Sequence, residues 1–327
     1  MSEQEVSLRG KTAREIVRVA NHLPLIGKAR VNGDLQNLRS DHELPWRCPE
    51  QLRQTVIDME DFSMELLAPA GQEDPPWARH VILQLHGGGY YGRFHNTYRD
   101  AAAKYIEVSG GADVLSPDYR VAPEHPFPAA LEDAVEAYRW LLEHDYSTER
   151  IVVAGDSAGG GLSLALGLYL RDHGMPMPAG FITMSAWTDL TKSGDSYQEK
   201  YDSDPIFGGT RKSLVYKEGY YADHDPMDPY ISPVNGDFRG FPPMLMQVGE
   251  MEMLLDDTLS VAARARFAGG RVRVHVYKGM WHIFQMGIIT LQKRLTPGDR
   301  NAQTVTLYPE ATEAWKEIER FLEIVWR

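Results

Sequence analysis

Arg150-Ile151-Val152-Val153-Ala154-Gly155-Asp156-Ser157-Ala158-Gly159-Gly160 decides how the rest of the chain reads. The first five residues suit a buried strand, and the run from Ala158 to Arg171 suits a helix. Between them lies G-x-S-x-G, a serine on a turn so tight that its neighbours must be small. Such a turn exposes the hydroxyl and aims the first N–H groups of the helix at the same point. Those donors and the helix dipole stabilise negative charge there. A glycine-rich turn carrying an ordinary serine is the bland alternative, and the strand–turn–helix context argues against it.

The same rhythm extends outward on both sides. Strands are expected at 80–85, 113–116, 150–154, 181–185, 244–248 and 272–277. Helices are expected at 97–109, 129–144, 158–171, 256–268 and 311–326. Alternation of this kind implies crossover units and a mostly parallel sheet flanked by helices. Upstream, 54–59 and 62–67 alternate like a hairpin or edge strands, and 13–23 has a helical period. From 190 to 243 the rhythm breaks into a stretch rich in Tyr, Asp, Gly and Pro, with a helix expected at 210–221. A long interruption in a regular array is usually a lid or binding insertion. No linker composition separates two domains. The expectation is one domain, with 1–45 and roughly 190–225 forming a discontinuous cap.

Lys and Arg number 34 against 46 Asp and Glu, a net charge of −12. That argues against a nucleic-acid or anionic-membrane binder, both of which need a basic face. No apolar run approaches the ~18 residues of a membrane span. The single cysteine, Cys48, excludes an intrachain disulfide and suits a reducing cytoplasm. The N-terminus lacks the basic and apolar regions of a signal peptide, so a cytoplasmic protein is expected. There is no H-E-x-x-H, cysteine pair or Walker A motif, so neither metal nor cofactor is expected.

A serine nucleophile needs a base, and the base needs an orienting carboxylate. In sheets that carry this turn they follow the serine as acid, then histidine, at the carboxyl ends of late strands. His282, in Gly279-Met280-Trp281-His282-Ile283-Phe284, is the only one of 11 histidines so placed. Its competing reading is a packed loop histidine beside Trp281. The acid is more open. Glu250, Glu252, Asp256 and Asp257 crowd the loop after 244–248. Asp256 and Asp257 suit the N-terminal cap of the next helix, and pattern does not separate Glu250 from Glu252.

The strand at 80–85 leads into His86-Gly87-Gly88-Gly89-Tyr90. Consecutive glycines leave backbone N–H groups open to a ligand, the second half of an oxyanion hole. His86 itself reads as a loop organiser. The rival is a dinucleotide fingerprint, because Gly87, Gly89 and Gly92 spell G-x-G-x-x-G with Asp113 downstream. The serine turn in the same chain weighs against it. Trp46, Tyr91, Phe94, Trp187, Tyr201 and Phe207 read as packing first and as pocket walls second.

Together these motifs resemble the hormone-sensitive lipase family of α/β-hydrolase esterases. HGGGY at 86–90, DYRVAPEHPFPAA at 118–130, GDSAGG at 155–160, SAWTDL at 185–190, DPYISP at 228–233 and GMWHIF at 279–284 carry the resemblance in the expected order. It implies an α/β-hydrolase fold with a small helical cap, Ser157 as nucleophile and His282 as base. It also implies Gly88, Gly89 and Ala158 as oxyanion donors. The family's D-P-L-x-D register falls on Glu252-Met253-Leu254-Leu255-Asp256, which favours Glu252 as the acid with glutamate in place of aspartate. The polar stretch 289–309 is longer than the family's usual link to the last helix and reads as a surface loop or an oligomer contact.

The expected function is a carboxylesterase acting on small esters of short to medium acyl chain through an acyl-enzyme. A lactone hydrolase of the same family and a non-catalytic hydrolase-fold receptor are the alternatives. The last strand, 272–277, should lie at a sheet edge and alternates apolar and polar without proline. A homodimer through it is expected; an edge blunted by Arg271 and Arg273 is the alternative.

Overall fold

The computed structural model of the protein describes residues 6–22, 43–291 and 303–327. Its centre is an eight-stranded sheet in the order β1-β2-β4-β3-β5-β6-β7-β8. The strands are β1 (Leu52–Asp58), β2 (Ser63–Pro69), β3 (Val81–Leu85), β4 (Asp113–Asp118), β5 (Ile151–Asp156), β6 (Gly180–Met184), β7 (Met244–Gly249) and β8 (Val272–Tyr277). β1 and β2 form an antiparallel hairpin, and β2 pairs antiparallel with β4. From β4 through β8 every pairing is parallel.

Among the described residues the α-helices are α1 (Leu8–His22), α2 (Asn96–Val108), α3 (Ala129–Glu143), α4 (Ser157–Asp172), α5 (Ser196–Glu199), α6 (Leu255–Phe267) and α7 (Pro309–Val325). Side chains alternate across a strand, so each central strand feeds both faces. Val81, Leu83, Ile151, Val153 and Met246 enter one apolar core with Leu131, Leu141, Leu162 and Val261 from α3, α4 and α6. Ile82, Val152, Ala154, Ile182 and Leu245 enter the other, with Ile106 of α2 and Trp315, Ile318 and Leu322 of α7. Strands apolar on both faces are what a helix-covered parallel sheet requires.

Two expectations change, and a rival reading already weighed against drops out. The helix expected at 210–221 is absent; only the 3-10 turn Leu214–Tyr216 forms there. Tertiary contacts hold that segment instead. Tyr220 stacks on Tyr90 and its carbonyl accepts the N–H of Phe127, while the Leu214 side chain packs over Gly89. Asp256 and Asp257 lie in the first turn of α6, whose N-cap is Leu254 without a side-chain cap bond. The two aspartates bind the 188–196 segment: Asp257 accepts from the N–H of Thr188 and Asp189, and Asp256 from that of Ser196. The dinucleotide rival also fails on geometry. Asp113 begins β4 beside Val81, at the opposite end of the sheet from the glycine loop, and pairs with Arg79.

Of the expected cap, Val6, just before α1, and Ala13 and Val17 of α1 pack against the Tyr277–Phe284 region, and 23–42 lie outside the described residues. In the 289–309 stretch, Ile288–Leu291 pairs antiparallel with Gln303–Thr306; 292–302 lie outside the described residues.

Candidate active site

Ser157 begins α4 directly after β5, with φ of 52°. Left-handed backbone is costly for a non-glycine residue and clusters at functional sites. Tyr90, Ser185 and Ile283 share it, with φ of 63°, 52° and 49°, and all three adjoin the residues discussed here. The turn is possible because the helix comes very close to the strands. A Cβ on Gly159 would lie 2.1 Å from the Leu85 carbonyl oxygen and 2.3 Å from that of His86. Glycine at 159 is therefore a packing requirement, and it brings the start of α4 against the end of β3.

The Ser157 hydroxyl donates to His282 Nε2 at 2.9 Å, and His282 Nδ1 donates to Glu252 Oε2 at 3.0 Å. The three residues are 6%, 3% and 0% exposed. Glu252 Oε1 accepts from the Ser185 hydroxyl at 2.7 Å and from the Gly249 N–H. Glu250, the alternative acid, instead accepts the Gly279 N–H at 2.9 Å and so anchors the loop that carries the histidine.

Ser185 is a site residue that sequence reasoning did not single out. Its hydroxyl donates to Glu252 and accepts the Ile283 N–H at 3.0 Å, bridging the acid to the histidine loop. It opens the SAWTDL motif at 185–190, but a small polar residue just after β6 is too common to mark a role by itself.

In the loop after β3, Gly88 and Gly89 have φ of 121° and 64°. Among the described residues nothing accepts the N–H of either glycine. Ala158 is fully buried in the first turn of α4, where helix N–H groups have no intrahelical partner. His86 lies outside the Ser157–His282–Glu252 chain of hydrogen bonds. Its ring stacks on Tyr119 at 4.0 Å and its Nδ1 donates to the Gly87 carbonyl at 2.8 Å. Burial lowers its pKa, which keeps it neutral.

Two further buried carboxylates flank the group. Asp156 precedes the serine, and its Oδ1 accepts the Gly87 N–H at 3.1 Å, tying the serine turn to the glycine loop. Desolvation raises its pKa to about 7, against the opposing pull of His282 and the Gly87 N–H. Asp204, in the insertion, accepts from Met253, Phe207 and Ile206 N–H groups. Burial raises its pKa, and those donors and His282 oppose the rise. Among the described residues no cluster of His, Cys, Asp and Glu is arranged to hold a metal ion, and no helix is long and apolar enough to cross a membrane.

Residues 82–286 match the family model described as alpha/beta hydrolase fold. An acetyl-hydrolase of Streptomyces hygroscopicus is 38% identical over 229 residues, covering 70% of this chain and 74% of that protein. The crystal structure of an esterase from the bacterial hormone-sensitive lipase family superposes with a TM-score of 0.81 at 30% identity, covering 99% of this chain and 100% of that one. The crystal structure of EstE5 soaked with p-nitrophenyl butyrate gives a TM-score of 0.81 at 30% identity, covering 98% and 99%. The serine–histidine–glutamate geometry and these likenesses agree: the chain belongs to the alpha/beta hydrolase fold family and is a carboxylesterase of the hormone-sensitive lipase type.

Proposed function

We propose that Ser157 is the nucleophile, His282 the general base and Glu252 the acid that orients it. In this reading His282 takes the Ser157 proton as the oxygen attacks the ester carbonyl. The tetrahedral oxyanion is held by backbone N–H groups of Gly88, Gly89 and Ala158, donors that need no reorganisation as charge develops. His282 then protonates the leaving alcohol, and water repeats the cycle on the acyl-enzyme. Glu252 keeps the proton on Nδ1, so that Nε2 faces the serine with its lone pair. The observation that carries the reading is the unbroken chain from Ser157 through His282 to Glu252 at 2.9 and 3.0 Å.

The substrates proposed are esters of short to medium acyl chain, below roughly C10. Support comes from the near-complete burial of Ser157, and from relatives described as an acetyl-hydrolase and as a structure soaked with p-nitrophenyl butyrate. The 190–225 insertion acts as a cap, because it lays Phe207 against His282 and Leu214 over Gly89. The working form is a homodimer joined through β8, in the cytoplasm, where the lone Cys48 stays reduced.

Ser157→Ala should lower kcat on p-nitrophenyl acetate and butyrate by about four orders of magnitude or more. It should also abolish fluorophosphonate labelling that the native protein shows. Near-native turnover by the variant would sink the nucleophile assignment. An unlabelled native protein would point to a receptor with an inert site.

A further inference from the structure

We infer that the Asp204–Gly208 turn of the insertion is the wall that limits the alcohol portion of the ester, with Phe207 as its specificity-determining residue. This rests on the proposed roles of Ser157 and His282. The Phe207 ring lies 4.5 Å from the His282 ring, tilted by 55°. It is 6% exposed, so it is held in place against the imidazole.

The turn that holds Phe207 is built to keep its shape. Asp204 Oδ1 accepts the Ile206 N–H at 2.7 Å and the Phe207 N–H at 3.0 Å. Its other oxygen accepts the Met253 N–H at 2.8 Å, one residue beyond Glu252. The Gly208 N–H closes the turn onto the Asp204 carbonyl at 3.1 Å. A Cβ on Gly208 would lie 2.3 Å from the Tyr201 carbonyl oxygen, so the backbone folds back tightly directly after Phe207. One carboxylate thus ties the position of the aromatic ring to the loop that carries the acid.

Reaction chemistry then assigns the side. The tetrahedral carbon carries the serine oxygen, the oxyanion, the acyl carbon and the leaving oxygen. Apart from the serine oxygen, which already lies 2.9 Å from His282 Nε2, only the leaving oxygen must come within hydrogen-bond reach of that nitrogen, which protonates it. The alcohol's first carbons therefore start beside the imidazole, where Phe207 stands. Leu214 packs over Gly89 instead.

The test uses two ester panels on the full chain. One holds the acyl group at acetyl and varies the alcohol through ethyl, cyclohexyl and benzyl. The other holds p-nitrophenol and varies the acyl group from acetyl to octanoyl. Phe207→Ala should raise kcat/KM for benzyl relative to ethyl acetate by about fivefold or more, as expected for removing bulk from an apolar wall. The acyl-length ratios should stay within twofold of native. Phe207→Trp should shift the alcohol ratio the opposite way. Phe207→Leu replaces the alanine variant if that one unfolds in a thermal melt. A shift confined to the acyl panel, equal shifts in both, or none in either overturns the inference. Ser157→Ala run alongside separates the two claims: activity surviving there fails the underlying mechanism, whereas its loss with unmoved alcohol ratios fails only the role of Phe207.

Discussion

Asp156 combines local positioning with an electrostatic cost. It is fully enclosed, one oxygen accepts the Gly87 N–H, and the other has no hydrogen-bond partner. Desolvation lifts its pKa from 3.8 to about 7. A carboxyl group raised in the folded state holds its proton there after the unfolded chain has released one. Its contribution to stability is therefore complete below the unfolded value and declines as pH rises through the folded value. Asp156→Asn removes that dependence while keeping a carbonyl that can accept from Gly87. Unfolding by urea from pH 4 to 8 should show the stability of the variant, relative to native, rising up to about pH 7 and then levelling off. Parallel curves for the two proteins would show that Asp156 ionises normally.

The decisive element is the β5–α4 junction. Its glycines serve close approach, and Gly159 does so with the least tolerance, since its missing side chain is replaced by two carbonyl oxygens at 2.1 and 2.3 Å. Gly159→Ala must push α4 away from β3, and with it the serine from the glycine loop. We expect a loss of about 2–3 kcal/mol or more in urea unfolding, the scale of an overpacked core, together with a fall in kcat. Unchanged stability and activity would show that the junction relaxes freely. The 210–221 segment teaches the opposite lesson. Its helical period was present, yet Leu214 and Tyr220 are drawn to Gly89 and Tyr90, and the packing of those side chains outweighs a weak local preference.

For the whole molecule, the sheet order leaves β8 at one edge and β1 at the other. Val276 on β8 is 38% exposed, and Arg273 leans onto Glu317 of α7 at 2.7 Å. The arginine charge is thus partly paired within the subunit, and the edge is less blunted than the bare sequence suggests. Sedimentation at micromolar concentration should give a dimer, and Val276→Lys should convert it to a folded monomer, because lysine on an edge strand opposes pairing. A native protein that sediments cleanly as a monomer removes the proposed assembly.

The parallel sheet, the helices that flank it, and the proposal of Ser157 and His282 were legible in the sequence. They depend on local signals: apolar periodicity, and small residues that a tight turn demands within a few positions. What only the tertiary structure decided involves groups far apart in the chain. The family register favoured Glu252 but residue pattern did not separate it from Glu250; in the fold Glu252 meets His282, while Glu250 accepts the Gly279 N–H. Ser185 links the acid to the histidine loop from 67 and 98 positions away. Phe207 reaches the imidazole through a turn held by Asp204. Spacing and periodicity do not reveal these contacts, because a hydrogen bond across strands constrains where two backbones meet and not which residues stand next to each other in the chain.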